Sequence, residues 1–388
     1  MRTITLVAAA LITIVACSTD FNDMPAVPGT PTPSPIPSGG PTVSVAQAVN
    51  RTNIVSDQPG AVALDSQLVN AWGLAFNPGG PAWVSAAGTG VSAVYNSSGG
   101  HVIPSVLIPD PACVPQGAHS TPTGQAFNAT PTAFLGDTFV FVTQEGGVAG
   151  WQPTFGTAAQ VRGPATCSAA YKGVTIAIGS SGQPLLFATD FRGGKIDVFD
   201  ATYTPVMQGR FVDPNLPAGF APFNIDAING NLVVTYARQF TDLVTDIHGA
   251  GNGYVNLFNV DGGLIARMIS AGELDSPWGI AMTPATFGAI PNRLLIGNFG
   301  DGTIHVYTLD PSAGLARVAL QGTLGAADGS TMFIDGLWAL RFGLGAGGFQ
   351  SDTLYFTAGP VSGTQGVFGA LAVPVTVPPT TPMTPMTK

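Results

Sequence analysis

Short apolar runs alternate with turn residues along most of this chain. Residues 72–76 (WGLAF) and 82–85 (AWVS) are separated by Asn, Pro and Gly, and the same arrangement recurs at residues 278–282 and 294–299. Runs of about four to eight apolar residues bounded by Gly and Pro have the length and flanks of β-strands. Residues 303–307 (TIHVY) alternate polar and apolar positions, which is also typical of a strand. The pattern predicts a chain built almost wholly of strands, with very little helix.

The strand pattern repeats six times between about residue 70 and residue 371. Each copy contains two apolar strands, a Gly-rich turn and a third strand. The first strands recur at intervals of 49 to 60 residues, marked by Trp72, Gln125, Val174, Phe223, Trp278 and Trp338. Self-similarity with a period of about fifty residues is the sequence signature of a propeller with four-stranded blades. The prediction is an all-β fold, a six-bladed β-propeller over residues 49–373, with four-stranded antiparallel blades around a central channel.

A ring of blades needs a closing contact. A strand from early in the chain commonly completes the last blade, which removes the open edge between the last blade and the first. Residues 53–56 (NIVS) precede the first repeat and suit this purpose. We expect them to pair with the last strand, near residues 366–373.

The composition agrees with this fold and narrows the choice of partners. Of the 388 residues, 45% are hydrophobic, 9% are charged and 51 are Gly, a balance typical of many short, tightly turned strands. The formal net charge is −9, from 22 acidic and 13 basic residues. Because the backbone of a nucleic acid is also negative, the chain would repel it. We therefore expect no nucleic-acid partner.

Residues 1–16 have the features of an export signal. Arg2 precedes a largely apolar run over residues 6–16 that is too short to span a bilayer. The run ends in Ile-Val-Ala-Cys17, which resembles the lipobox of bacterial lipoproteins, in which the Cys is acylated. We predict a signal peptide at residues 1–16 and a lipid anchor on Cys17, which would be the protein's only contact with a membrane. The expected location is the outer membrane or the cell surface. An ordinary cleaved signal, giving a periplasmic or secreted protein, is the alternative.

The two ends of the mature chain differ from its middle. Residues 17–48 are rich in Pro, Thr, Ser and Gly and are predicted to form a linker, because they cannot bury enough apolar surface to fold. Residues 374–388 have the same composition and are predicted to be a disordered tail.

Two cysteines remain after Cys17. Cys113 and Cys167 both lie in loops rich in Pro, Gly and Ala, each before the first strand of a repeat. An exported compartment is oxidising enough to join them. We predict a structural disulfide between them, with two free thiols as the alternative.

Five motifs occur in a fixed order along the chain. They are residues 69–74 (VNAWGL), 189–200 (TDFRGGKIDVFD), 219–225 (GFAPFNI), 297–304 (GNFGDGTI) and 335–338 (DGLW). Together they resemble an uncharacterised family of exported bacterial propellers related to the NHL-repeat type. The resemblance covers nearly all of residues 50–373 and implies a six-bladed, NHL-like propeller outside the cytoplasm. It implies no activity and supplies no catalytic residues.

The repeats also suggest where chemistry would be located. A propeller brings one loop or strand end from each blade to the mouth of its channel, so recurrent polar residues would converge there. Six such residues flank first strands or follow second strands: Asn70, Glu145, Asp190, Asn224, Asn298 and Asp335. Their oxygens are the ligand type that Ca²⁺ takes, and similar propellers with lactonase or esterase activity hold a metal in this way. The alternative is a purely structural role in turns, which Asp and Asn favour before Gly.

Other polar features fit no recognised catalytic arrangement. The histidines, at positions 101, 119, 248 and 305, have no zinc-binding spacing, and His305 is expected at the surface because it lies on the polar side of an alternating strand. Residues 179–182 (GSSG) lack the strand-to-helix context of a serine hydrolase. Residues 238–248 interrupt the fourth repeat and form either a ligand-contacting insertion or a solvated loop.

These features favour a monomeric binding module of the cell envelope that recognises a protein, a glycan or a small molecule. Rigid blades with variable loops suit recognition without any catalytic group. The alternative is a Ca²⁺-assisted hydrolase of lactonase or esterase type at the channel mouth. A structural role at the cell surface is a third hypothesis.

Overall fold

Strands dominate the computed structural model, which describes residues 44–109, 111, 119–164 and 167–374. These residues belong to the compact unit Val43–Lys388. The signal peptide, Cys17, most of the linker, Cys113 and the tail from residue 375 lie outside the described residues.

The described residues contain 25 strands. Strands β1 to β6 are Val45–Ser56, Ala63–Leu64, Ala71–Phe76, Ala82–Ala86, Val91–Tyr95 and His101–Leu107. Strands β7 to β14 are Pro122–Phe127, Phe139–Thr143, Val148–Trp151, Gln160–Arg162, Tyr171–Ile178, Pro184–Asp190, Lys195–Phe199 and Pro205–Val206. Strands β15 to β20 are Phe220–Ile228, Asn231–Arg238, Gly253–Asn259, Leu264–Ser270, Pro277–Met282 and Leu294–Asn298. Strands β21 to β25 are Ile304–Asp310, Gly314–Ala326, Leu337–Phe342, Leu354–Ala358 and Val367–Ala372.

Helical structure is scarce in this part of the chain. It consists of two 3₁₀ turns, Phe134–Gly136 and Pro153–Phe155, and a four-residue turn α1, Pro360–Gly363. The expectation of an all-β chain with very little helix is therefore confirmed. No helix within the described ranges is long and apolar enough to cross a membrane.

Four sheets each contain four consecutive antiparallel strands. Their strand orders are β3-β4-β5-β6, β7-β8-β9-β10, β11-β12-β13-β14 and β15-β16-β17-β18. Each sheet is a meander in which neighbours along the chain are neighbours in space. The predicted strand pairs at residues 72–76 and 82–85 correspond to β3 and β4, which pair Phe76 with Ala82.

The remaining strands form one larger sheet, which β1 holds together. Its order is β19-β20-β21-β22-β1-β25-β24-β23, with β2 also paired to β1. The first half of β1 runs parallel to β22, and the second half runs antiparallel to β25, with Asn53 opposite Gly369 and Ser56 opposite Val367. The predicted pairing of residues 53–56 with the last strand is confirmed. The strand begins earlier than expected, at Val45, so the last residues assigned to the linker are part of the sheet.

The first strands of successive sheets lie side by side around an axis. Contacts connect β3 to β7, β7 to β11, β11 to β15, β15 to β19, β19 to β23, and β23 back to β3. The approach is close because glycines face the neighbouring backbone. A Cβ atom on Gly124 would lie 2.7 Å from the backbone nitrogen of Val174 on β11, and one on Gly73 would collide with the backbone oxygen of Thr123 on β7. The six strands therefore form a closed inner ring.

Each inner strand has a β-bulge near its start. On β3, for example, Ala71 pairs with Ala86 and Leu74 pairs with Val84, so Trp72 and Gly73 lie opposite Ser85 alone. The same one-residue shift occurs at the equivalent place in the other five first strands. Bulges redirect side chains and interrupt the regular ladder of hydrogen bonds.

Threonines on second strands satisfy backbone groups at the bulges. The Thr357 hydroxyl accepts a hydrogen bond from the backbone N–H of Ala339 (3.0 Å) and donates one to the backbone oxygen of Trp72 in the next inner strand. Thr189 makes the equivalent bonds, from Gly173 N–H (2.8 Å) and to the Phe223 oxygen (3.3 Å). These threonines thus link neighbouring sheets.

One sequence expectation about burial is wrong. His305 on β21 is only 3% exposed, whereas the sequence predicted a surface residue. Its Nε2 atom lies 3.0 Å from the Thr303 hydroxyl and 3.1 Å from the side-chain amide nitrogen of Asn298. The polar side of this strand faces other polar residues inside the protein rather than solvent, so alternation alone could not distinguish the two environments.

Removal of β1 tests its role in closure. A chain that begins at Pro59 should lose about 5 kcal/mol or more of stability, because Val49, Ile54 and Val55 leave the core and the edges of β22 and β25 become unpaired. Thermal melting followed by circular dichroism measures the effect. The matched control begins at Val43 and retains β1. Equal melting temperatures for the two chains would contradict this role.

The threonine link between sheets makes a second prediction. Thr357→Val should destabilise the fold by about 1–3 kcal/mol, since it leaves a buried N–H and a buried carbonyl without their partner. Exposed Thr331 provides the control, and Thr331→Val should stay within about 0.5 kcal/mol of the parent protein. Urea unfolding of both variants measures the difference. A Thr357→Val variant as stable as the control would show that the hydroxyl does not link the sheets.

Candidate functional site

The bulges place one side chain from each first strand at the same end of the inner ring. The residues at these six equivalent positions are Trp72, Thr123, Lys172, Phe223, Trp278 and Trp338. Four of the six are aromatic. Lys172 is the only charged one.

Aromatic rings close the axis at this end, which we call the mouth. Trp338 stacks on Trp72 at a centroid distance of 3.6 Å and on Phe299 at 3.8 Å, so both of its faces are covered. It also lies 6.0 Å from the rings of Phe223 and Trp278. The side chains of distant first strands thus converge on Trp338. They are part of one buried apolar cluster.

Lys172 is buried among these aromatic rings, and only 4% of its surface is exposed. Its Nζ atom donates a hydrogen bond to the side-chain oxygen of Gln144 (2.5 Å) and lies 5.1 Å from the Trp72 ring centroid and 5.8 Å from that of Phe191. No carboxylate of the described residues forms an ion pair with it. Burial lowers the pKa of Lys172 to about 8, against the opposing influence of acidic residues such as Asp246.

A cavity of about 290 Å³ lies at the mouth, beside Lys172. One wall is aromatic, formed by Trp72, Phe299 and Trp338. The other is polar and includes Gln144, Lys172, Thr245, Asp246 and His248. The site therefore combines apolar surface with a few polar groups, as small-molecule sites usually do.

The insertion after β16 supplies part of the polar wall. It is folded rather than open, because Ile247 N–H bonds to the Arg238 oxygen (2.8 Å) and Asp242 accepts the N–H groups of Val244 and Thr245. The Gln239 side chain donates to the backbone oxygen of Phe191 (2.5 Å), which fixes the insertion to the neighbouring sheet. Val244, Thr245, Asp246 and His248 line the cavity, whereas most of residues 238–243 are exposed, so the insertion combines features of both interpretations.

His248 and Asp246 form an ion pair within this wall. The His248 Nε2 atom lies 3.2 Å from an Asp246 carboxylate oxygen. That carboxylate raises the pKa of His248, against the opposing influence of burial. The His248 ring also meets Phe299 edge-on at 5.2 Å. The pair can donate or accept a proton at the cavity surface.

A second cavity of about 380 Å³ lies at the opposite end of the inner strands. Its charged residues are Asp226 and Arg341, whose oxygen and nitrogen atoms are 3.5 Å apart. The Thr175 hydroxyl also donates to Asp226 (3.4 Å). The two charges compensate each other, which distinguishes this cavity from the mouth, where Lys172 forms no ion pair with a carboxylate of the described ranges.

Two of the predicted site residues support the inner ring. The Asn70 side-chain oxygen accepts the indole N–H of Trp338 (3.0 Å), so Asn70 positions the central ring of the mouth. Asn224 occupies a position that is Gly in most first strands, and its amide donates to the Trp278 backbone oxygen on β19 (2.7 Å). Both asparagines have structural contacts at the mouth.

The other four predicted residues make local contacts. One oxygen of buried Asp190 accepts the N–H groups of Ala170 and Gly193, both at 2.9 Å. The other three side chains also bond to the main chain. Glu145 accepts the N–H of Thr121 (3.0 Å), and Asp335 accepts the N–H of Val361 (2.9 Å). The Asn298 side-chain amide donates to the backbone oxygen of Glu273 (2.8 Å).

A Ca²⁺ site at these six residues stays a prediction. Within the described part of the chain, no group of three or more His, Cys, Asp or Glu residues is arranged to hold a metal. Ca²⁺ needs six to eight oxygen ligands. Asn70, Glu145, Asp190 and Asp335 each have one side-chain oxygen that already accepts a hydrogen bond from a nearby group. These contacts agree with the turn and strand roles that were the alternative interpretation.

Sequence reasoning missed Lys172, Gln144 and the aromatic wall as parts of a site. Lys172 lies in a recognised first strand, but its position aligns with aromatic residues in most other copies. The signal available in the sequence was a charged residue at a repeat position that is aromatic in most copies. The position of the bulge, which the sequence pattern does not reveal, is what aligns the copies.

The structure describes only one of the two cysteines of the predicted disulfide. Cys167 lies in an exposed turn and is disulfide-bonded. Cys113 lies outside the described residues, so its pairing with Cys167 stays a prediction.

The hydrogen bonds that Asn70, Glu145, Asp190 and Asp335 accept predict that the fold is indifferent to Ca²⁺. Thermal melting in a chelator and in millimolar CaCl₂ should give melting temperatures within about 1 °C of each other, because a ligand that does not bind the native state cannot stabilise it. Asp190→Asn, which keeps an oxygen for the two N–H groups, provides a matched variant. A rise in melting temperature with Ca²⁺ that this substitution abolishes would contradict the structural role of Asp190.

Comparison with known proteins gives relatives without an assigned role. No protein-family model matches the chain. Two uncharacterised proteins of Acanthamoeba polyphaga mimivirus are similar: one is 29% identical over 341 residues, covering 83% of this chain and 78% of the relative. The other is 27% identical over 330 residues, covering 80% of this chain and 82% of the relative. Because these relatives are viral, they do not support the bacterial family that the motifs resembled.

Solved structures show the fold. Virginiamycin B lyase from Staphylococcus aureus is similar with a TM-score of 0.50 and 10% identity, covering 84% of this chain and 99% of the enzyme. A catalytically inactive variant of that lyase with quinupristin gives a TM-score of 0.51 at the same identity and coverage. At this identity the likeness concerns the fold alone. Together with the four-stranded antiparallel sheets, it identifies the chain as β-propeller-like.

Proposed function

We propose that this protein is a six-bladed β-propeller that binds a small molecule in the cavity at its mouth. The blade count treats the larger sheet as two blades, β19 to β22 and β23 to β25 with β1. The observation that carries the proposed function is Lys172, a buried amine that forms no ion pair within the described residues, on the wall of a cavity lined by aromatic rings. A purely structural core position would be filled at lower cost by an apolar side chain.

The chemistry of the cavity indicates the class of ligand. Aromatic walls favour a ligand with a flat or apolar face. Lys172 has three N–H donors and uses one of them on Gln144, so it can donate to a ligand oxygen. Asp246 on the same wall, with Asp242 and Glu145 nearby, disfavours an anion. A neutral, ring-bearing compound with a carbonyl oxygen satisfies all three conditions.

The cellular setting is a proposal of its own. Export through residues 1–16 and a lipid anchor on Cys17 would place a monomeric binding module in the cell envelope. The charge of −9 and the cavity size suit a small ligand rather than a nucleic acid. Mass spectrometry of the mature N-terminus tests this placement, since an unmodified terminus would remove the anchor.

The hydrolase alternative remains a weaker proposal. It would use Ca²⁺ held by the predicted oxygens, and the His248–Asp246 pair at the mouth is a further group that favours it. A screen of esters and lactones tests it, with His248→Gln as the variant expected to abolish any turnover found.

If a small molecule binds at the mouth, replacing Lys172 should weaken that binding. Benzamide, a neutral ring compound with a carbonyl oxygen, should give a saturation-transfer NMR signal with the parent protein. Lys172→Met should weaken binding roughly tenfold or more, because a hydrogen bond from a charged donor is lost. Lys195→Met is the matched control, since Lys195 is half-exposed and paired with Asp197. It should bind benzamide as the parent does.

Two results would contradict the proposed site. One is the absence of any benzamide signal with the parent protein at millimolar concentration. The other is an equal signal from the parent and from Lys172→Met, with both proteins folded by circular dichroism.

A further inference from the structure

We propose that Lys172 is a nucleophile that forms an imine with an aldehyde or ketone bound at the mouth. This inference rests on the proposed function, because it uses the same cavity, and it adds a covalent step to the binding. The juxtaposition that carries it is a buried primary amine and a His–Asp pair on the wall of one cavity.

The amine is held in a form that suits attack on a carbonyl carbon. Surface lysines are strongly hydrated and often paired with carboxylates, which keeps them protonated. Lys172 has neither feature: it is 4% exposed, and its described polar partner is the neutral side chain of Gln144. The Trp72 and Phe191 rings interact with the cation at 5.1 and 5.8 Å, but they cannot accept its proton.

The electrostatics agree with this geometry. Burial lowers the pKa of Lys172 to about 8, so a usable fraction of the amine is neutral near pH 7. The neutral form is the nucleophile. Because the pKa is lowered, imine formation should increase as the pH rises through about 8, whereas an ordinary lysine would require a pH above 10.

The reaction balances without any further reactant. The neutral amine adds to the carbonyl carbon and gives a carbinolamine, with one proton moving from nitrogen to the new hydroxyl group. Loss of the hydroxyl group as water then gives the imine, so the amine and the carbonyl compound yield the imine and one water molecule. Protonated His248, held by Asp246, can supply the proton that the departing hydroxyl group needs, which leaves an iminium ion. The iminium nitrogen then returns its proton to His248 and gives the neutral imine. Hydrolysis reverses every step.

The lysine content of the chain makes this proposal easy to test. The sequence contains three lysines, Lys172, Lys195 and Lys388. Lys195 is half-exposed and paired with Asp190 and Asp197, so it serves as the internal reference. Peptide mapping by mass spectrometry distinguishes the three sites.

The experiment treats the full chain with 4-hydroxybenzaldehyde and sodium cyanoborohydride, which reduces an imine to a stable amine. We expect the adduct on Lys172 to form at least about tenfold faster than on Lys195 at pH 7, because more of the Lys172 amine is neutral. The rate at Lys172 should rise with pH and level off above about 8. Excess benzamide should slow the reaction at Lys172 only.

A second variant controls for loss of the adduct through misfolding. Lys172→Arg keeps the positive charge and cannot form an imine, and it should lose the adduct at this site while remaining folded. An equal labelling rate at Lys172 and Lys195 in the parent protein would overturn the imine. If benzamide still bound through Lys172, the proposed function would survive that result. Loss of both signals would overturn the two together.

Discussion

The structure depends on the close approach of six inner strands around one axis. Gly73 and Gly124 allow this approach, since a side chain at either position would meet the backbone of the next inner strand. Near the start of each inner strand, the regular hydrogen-bond pairing with the second strand is interrupted by a β-bulge. Threonines such as Thr357 then satisfy the backbone groups that the bulge frees. Packing at the axis, rather than pairing at the edges, therefore determines the geometry of each sheet.

The same constraint creates the candidate site. A bulge turns one side chain of every first strand toward the mouth, so six residues far apart in sequence meet there. Aromatic residues fill most of these positions and exclude water. Lys172 lies among them, where a hydrogen bond to Gln144 and carboxylates beyond ion-pair distance replace the water around a surface lysine. The chemistry that we propose follows from placing an amine where the fold otherwise places an aromatic ring.

The fold could be predicted from the sequence much further than the site. Alternating apolar runs and a regular period led to the strands, the repeats and the pairing of residues 53–56 with the last strand. The roles of the candidate residues could not be read from the sequence, because Asp and Asn, as at Asp190 and Asn224, serve equally to bind a metal or a neighbouring backbone. His305 was misplaced because strand alternation separates two faces and does not reveal whether the polar face meets solvent. Lys172 escaped notice because its importance lies in its neighbours, which only the folded chain brings together.

The position of β1 has a consequence for how the protein is made. Its partner strand β25 ends at Ala372, near the other end of the described chain, so the first strand to be synthesised is among the last to be paired. Until then β1 presents free backbone groups and apolar side chains to its surroundings, which is a condition that favours misassembly. Pairing over such a long sequence separation is also slow, because the loop must close before any contact compensates for the lost entropy. The ring therefore closes in a late step, and a chain that ended before β25 would leave the second half of β1, residues 50–56, without its antiparallel partner.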